Sequence, residues 1–150
     1  MRLLVLNGPN LNLLGEREPE HYGQASWAEI EAGLRRRAVE LGVELDCRQH
    51  SSEGGMIDIL HATRHEVDGV ILNAGAYTHY GYALRDAIAA ISPPVIEVHL
   101  SLPESREEWR HVSVIAPVCI GRIAGYGALS YELALEAFAR RVRSEGAESR

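Results

Sequence analysis

The sequence contains no lysine; its fifteen basic residues are all arginine. A Schiff-base lysine, a lysine-anchored pyridoxal phosphate and an ordinary P-loop lysine are therefore excluded. Carbonyl chemistry on this chain has to proceed without an imine to the protein. Cysteine is scarce, with Cys47 and Cys119 alone. Two cysteines do not build a disulfide framework, and a reducing cytoplasm is the expected location. No apolar run approaches the ~20 residues of a membrane span. Met1-Arg2 leads straight into a strand pattern, with no signal-peptide features. Positive charge is also in deficit: a net charge of −6 argues against nucleic acid as the main partner, because phosphate neutralisation needs a basic face. What is present suits one soluble domain with a proper core: 150 residues, 46% hydrophobic and 24% charged.

Strand and helix patterns alternate along the chain. "RLLVLN" (2–7) reads as a buried strand. "SWAEIEAGLRRRAVELG" (26–42) reads as an amphipathic helix, with Ser26 as N-cap, Glu29 three residues on and Gly42 as C-terminal cap. "VELDCRQ" (43–49) is a strand, "SEGGMIDILHATRHE" (52–66) a helix with a Gly-rich start, and "DGVILN" (68–73) a short buried strand. "GYALRDAIAAI" (81–91) is a helix stopped by Ser92-Pro93-Pro94, followed by the strand "PVIEVHLS" (94–101). "VSVIAPVCIGRIAG" (112–125) holds at least one more strand, and "GALSYELALEAFARRVR" (127–143) is the last helix. A single domain is expected over 1–143, with 144–150 as a disordered tail. One segment resists this alternation: the polar stretch after the first strand, from "NGPN" to "HYG", is long for a connection in a small domain.

Continuous apolar strands separated by helices predict a parallel sheet covered on both faces. Five strands in this length fit a flavodoxin-like three-layer α/β sandwich with strand order 2-1-3-4-5. Such folds place ligands beyond the carboxyl ends of the strands, near the switch point. That rule selects Asn7 and Asn10 after the first strand, Asn73 and His79 after the third, and Glu97, His99 and Ser101 at the end of the fourth. Glu97 and His99 are two apart on a strand and share a face, so the carboxylate can orient the imidazole for acid–base work; a purely structural pair has the same spacing. Asn73 can polarise a substrate oxygen or simply form a turn. Arg17 and Tyr22 lie on the long segment. A free tyrosine titrates at ~10, and a guanidinium beside it favours phenolate; ordinary loop packing is the alternative for both. His61 and His65, four apart on a helix, lack a third metal ligand and read as a solvated face. "GYGALS" (125–130) is a helix-start turn rather than a complete phosphate loop, and Cys119 reads as a packed core thiol.

Taken together, "LNGPNLNLLGEREPEHYG" (6–23), "RQHSSEGGMIDILH" (48–61), "VILNAGAYTHYGYALRDAI" (70–88), "PVIEVHLS" (94–101) and "SREEWRHVSVIAPVCIGRIAGYGALSYELAL" (105–135) resemble the type II 3-dehydroquinate dehydratases, in order and spacing, over nearly the whole chain. The resemblance implies a hydro-lyase of the shikimate pathway, in aromatic amino acid biosynthesis. It converts 3-dehydroquinate to 3-dehydroshikimate and water by anti elimination through an enolate, without a Schiff base. It implies Tyr22 as the base, activated by Arg17; Asn10 holding a water at the enolate oxygen; and His99, oriented by Glu97, protonating the leaving hydroxyl. Asn73, His79, Arg110, Arg106 and the backbone at Leu100 and Ser101 match substrate-binding positions, and Asp86 matches one supplied by a neighbouring subunit. A homododecamer, a tetramer of trimers, with no metal and no cofactor is implied. The chain departs from the family pattern at His50 and Gly55, at Leu102-Pro103-Glu104 (usually Asn, an apolar residue and His), at Trp109 (usually Phe) and at Val112 (usually His). The resemblance implies that the Leu100 and Ser101 backbone, assisted by the Ser101 hydroxyl, takes the substrate carboxylate; the Leu102-Pro103 change lies beside it and bears on substrate affinity. A flavin- or nucleotide-binding module and a non-catalytic assembly protein are the other classes this pattern admits; flavin absorbance would mark the first, and loss of the Arg17, Tyr22, Asn73 and His99 set the second.

Overall fold

A computed structural model describes the backbone of residues 1–148 and the side chains of residues 1–141. The elements follow as β1 (Arg2–Asn7), α1 (Pro19–Tyr22), α2 (Trp27–Leu41), β2 (Glu44–Gln49), α3 (Glu53–Thr63), β3 (Gly69–Asn73), α4 (Tyr82–Ala90), β4 (Val95–His99), β5 (Gly121–Ala124) and α5 (Leu129–Glu148). The five strands form one sheet in the order β2-β1-β3-β4-β5, and every pairing is parallel. This is the doubly wound arrangement expected from the sequence.

The two-residue period of the strands sorts their side chains into two cores. Leu3, Val5, Ile71, Ile96 and Val98 face the layer made by α2 and α5, where Leu34, Tyr131, Leu135 and Phe138 meet them. Leu4, Leu6, Val70, Leu72 and Val95 face the other layer, built from Met56 and Leu60 of α3 and Leu84 and Ile88 of α4. Buried on both faces, β1, β3 and β4 have no polar side chain before their carboxyl ends, apart from Arg2 at the start of β1 and Glu97. Capping chemistry fixes the helix starts. Ser26 Oγ accepts from the Glu29 N–H at 3.2 Å, and Ser52 Oγ accepts from the Gly55 N–H at 3.0 Å. Gly42, at φ 71°, closes α2 in the left-handed conformation that glycine adopts without steric cost.

The last helix and the segment after β1 differ most from the sequence reading. The last helix runs to Glu148 instead of ending at 143, so most of the expected tail is helical. Glu145, Ala147 and Glu148 are good helix formers, and the one glycine among them does not stop a helix already under way. Residues 149 and 150, the rest of that expected tail, lie outside the described residues. The long segment after β1 is also less irregular than expected. It carries a 3₁₀ turn at Leu11–Leu13 and the single-turn helix α1, and it is pinned to the core by the buried side chains of Leu11 and Leu14.

The carboxyl ends of β1 and β3 are held in close register. Asn7 pairs with Asn73, and the Gly8 N–H donates to the Asn73 carbonyl at 2.7 Å. A Cβ on Gly8 would lie 2.6 Å from the carbonyl oxygen of Ala74, a backbone atom that cannot swing aside. Gly8→Ala is therefore expected to cost about 1–3 kcal/mol of unfolding free energy, the usual range for overpacking a tight site. Chemical denaturation of parent and variant measures it.

Candidate active site

Polar groups from several segments meet in one cleft at the carboxyl edge of the sheet. The cleft, open to solvent on one side, holds about 580 Å³ of empty space, part of it open solvent. Asn10, Arg17 and Tyr22 reach it from the long segment after β1. Asn73 closes β3, and His79 ends the following turn. His99, Leu100 and Ser101 come from the end of β4, and Arg106 and Arg110 from the turns beyond it. Glu97 does not line the cleft; it stands behind His99, with no solvent exposure. Asp86 is exposed on α4 and is not part of the cleft of its own chain. Of the residues selected from the sequence, it is the one this chain does not bring to the others.

His99 and Glu97 form the tightest polar pair of the site. The His99 Nε2 and Glu97 Oε1 atoms are 2.6 Å apart. Thr78 also donates to Oε1, and Ser113 Oγ reaches both carboxylate oxygens, at 3.0 and 2.9 Å. Burial works to raise the Glu97 pKa. The bond and charge of His99, with the Thr78 and Ser113 hydroxyls, outweigh it and hold the carboxyl below its ordinary value. His79 shifts downward because burial disfavours its charged form, against a bond between its Nδ1 and the Val112 carbonyl at 2.7 Å.

Tyr22 is the centre of the second cluster. Arg17 Nη2 donates to its hydroxyl oxygen at 3.2 Å, and Arg106 Nη1 donates to the same atom at 2.5 Å. Both guanidiniums also lie over the phenol ring, 4.3 and 5.0 Å from its centre. Glu18 bridges the two arginines, 3.4 Å from Arg17 and 3.5 Å from Arg106. Its backbone is left-handed, φ 32°, unusual for a residue with a side chain.

A third group was not selected from the sequence. Tyr131, fully buried on α5, donates to Asn7 Oδ1 at 2.7 Å and accepts from Asn73 Nδ2 at 3.0 Å. The Gly75 N–H donates to Asn73 Oδ1 at 3.2 Å. Burial pushes the Tyr131 hydroxyl up, which keeps its proton in place to be donated. Asn73 thus has one fixed amide orientation at the cleft. Thr78, Ser113 and Glu18 were missed in the same way. Their partners lie far away in sequence or depend on one loop conformation, and none carries a local motif.

The departures noted in the sequence have places too. A Cβ on Gly55 would lie 2.1 Å from the His50 ring, so the histidine occupies the space that the glycine vacates. Trp109 takes the Arg110 guanidinium on its face at 3.9 Å and meets the His79 ring edge-on at 5.4 Å. Val112 contacts His79 through its carbonyl, which any residue supplies.

A phenol under two guanidiniums and an imidazole on a buried carboxylate, set on a flavodoxin-like parallel sheet, are groups equipped for acid–base chemistry. Comparison with known proteins narrows this. A family described as dehydroquinase class II matches residues 1–139. A 3-dehydroquinate dehydratase of Pelotomaculum thermopropionicum is 55% identical over 139 residues, covering 93% of this chain and 96% of its own. Another, of Jannaschia sp., is 51% identical over 147 residues, covering 98% of this chain and 99% of its own. The crystal structure of a type II dehydroquinase from Butyrivibrio crossotus superposes with a TM-score of 0.89 at 42% identity, covering 91% of this chain and 96% of its own. The chain belongs to the class II dehydroquinase family.

The Glu97 geometry has a pH signature. A carboxyl held below its unfolded value stabilises the fold above that value, near 4.5, and the contribution fades as pH falls through the lower folded value. The stability difference between the parent and Glu97→Gln is therefore expected to be largest near neutrality and to shrink below about pH 4.5. Denaturant titrations across that range measure it.

Proposed function

We propose that this chain dehydrates 3-dehydroquinate to 3-dehydroshikimate in the shikimate pathway, by anti elimination through an enolate. The observation that carries this reading is the pair of guanidiniums on one phenol oxygen, in the same cleft as the His99–Glu97 pair. The family membership supports the substrate. The complete absence of lysine supports the non-imine route, since no lysine amine can condense with the ketone.

In this reading the positive charge of Arg17 and Arg106 stabilises Tyr22 as phenolate, and the phenolate oxygen removes the proton next to the ketone. The electrons of that C–H bond move into the ketone, and the enolate oxygen is stabilised by a water held at Asn10. Collapse of the enolate forms the ring double bond and expels the hydroxyl, to which His99 gives a proton. Nε2 of His99 faces Glu97, so the carboxylate orients the ring and balances the charge it carries. Asn73, His79 and Arg110 bind the substrate, the Leu100 and Ser101 backbone with the Ser101 hydroxyl holds its carboxylate, and Arg106 completes the site. No metal or cofactor takes part.

The same reading makes the protein a cytoplasmic homododecamer, a tetramer of trimers, in which Asp86 completes a neighbour's site. The exposed position of Asp86, outside its own cleft, supports this. The scarcity of cysteine, with Cys47 and Cys119 both free, suits a reducing compartment.

Purified protein mixed with 3-dehydroquinate is expected to produce a rise in enone absorbance. Tyr22→Phe is expected to lower kcat by at least ~100-fold, the usual scale for losing a general base, while substrate binding is largely kept. No rise at high enzyme concentration would overturn the activity, and near-normal turnover by Tyr22→Phe would remove its role. Light scattering is expected to give the mass of twelve chains; the mass of a monomer would end the assembly claim.

A further inference from the structure

Glu97 and Arg122 are direct partners in the β4–β5 register. Arg122 Nε lies 3.6 Å from Glu97 Oε1, the oxygen that also meets His99. That Nε atom is buried and, among the described residues, has no hydrogen-bond partner. The rest of the guanidinium is tied down from outside, since Arg122 Nη1 donates to Glu104 Oε1 at 2.6 Å. Glu104 is exposed, three residues beyond the cleft residue Ser101. Charges therefore alternate in sign from the surface to the cleft: Glu104, Arg122, Glu97, His99. An isolated pair of Arg122 and Glu104 at the surface would contribute little. A cation beside a fully buried carboxylate is in a different position, because the interior screens it far less.

We propose that Arg122, held in place by Glu104, is a positioning residue of this site that adjusts how strongly Glu97 attracts a proton onto His99. Arg122 takes up part of the Glu97 negative charge, and its own charge opposes a second cation at His99. Glu104 offsets Arg122 from the other side. The other groups facing the pair are Cys119 and the Thr78 and Ser113 hydroxyls beside Glu97, and His79, Arg17, Arg106, Arg110 and Tyr22 around the cleft. All of these stay the same in the variants below. The inference deepens the dehydratase reading, in which His99 delivers a proton.

The two charges make opposite predictions. Removing the cation in Arg122→Gln is expected to move protonation of His99 to higher pH. Removing the anion in Glu104→Gln is expected to move it to lower pH. Arg122→Lys, which keeps the charge, is expected to return toward the parent. The measurement is an NMR titration of the His99 ring Cε1–H signal, assigned by its loss in His99→Gln. An unchanged midpoint in Arg122→Gln, or shifts of the same sign in both glutamine variants, overturns the inference. If Arg122→Gln does not fold, Glu104→Gln decides: a lower midpoint supports the inference, and an unchanged one sinks it. The titration needs no turnover, so its failure is distinct from a failure of dehydratase activity, which the enone assay reports.

Discussion

A carboxylate without solvent access needs partners on every side, and Glu97 is the point where this chain commits to providing them. Stripping water from an ion costs several kcal/mol even after the surroundings relax. The partners come from separate parts of the sequence: His99 on the same strand, Thr78 after β3, Ser113 before the last strand, and Arg122 on the neighbouring strand. Misplacing any of these segments leaves a buried charge short of a donor. The network therefore constrains how β3, β4 and β5 end relative to one another. The same constraint that limits the fold also prepares an oriented imidazole at the cleft.

The sheet adds a second constraint at the other strand ends. Asn7 and Asn73 are neighbours because β1 and β3 are in register and Gly8 lets the backbones approach. Two buried side-chain amides in that position have many ways to pair badly. Tyr131 reduces them to one chain of donors, from Asn73 through the phenol to Asn7. Asn73 then reaches the cleft with its orientation already determined, so little ordering is left for a substrate to impose.

Periodicity and strand-end logic were enough to locate the cleft. Apolar strands of type "RLLVLN" and "DGVILN" cannot be solvated on either face, which forces a covered parallel sheet, and a sheet of this topology presents its strand ends together. Glu97 and His99 were legible for the same reason: two-residue spacing has one meaning on a strand. Tyr131, Thr78, Ser113 and Arg122 were not legible. Their roles depend on which distant residue lies across from them, and serine, threonine, tyrosine and arginine occur throughout any soluble sequence. The tail failed differently: its helix-forming residues outweighed the single glycine, and helix boundaries are where local signals are weakest.

The positions read in the sequence as departures from the resembled family are none of the residues that form the Tyr22 and His99 clusters. Val112 contributes a carbonyl, which its side chain does not affect. Trp109 offers a broader face to Arg110 than phenylalanine would, and indole is the strongest of the aromatic cation acceptors. His50 and Gly55 compensate each other in volume. Leu102-Pro103-Glu104 is the largest change, and it divides. Pro103 stays at the cleft wall, Leu102 turns half outward against Gly125, and Glu104 anchors Arg122. In the proposed reading the substrate carboxylate meets backbone at Leu100 and Ser101, which tolerates such exchange. Electrostatics do not, because a charge added at Glu104 is transmitted through Arg122 to a carboxylate that solvent cannot screen. In the proposed arrangement Glu104, outside the cleft lining, is the residue of that stretch linked through Arg122 and Glu97 to His99.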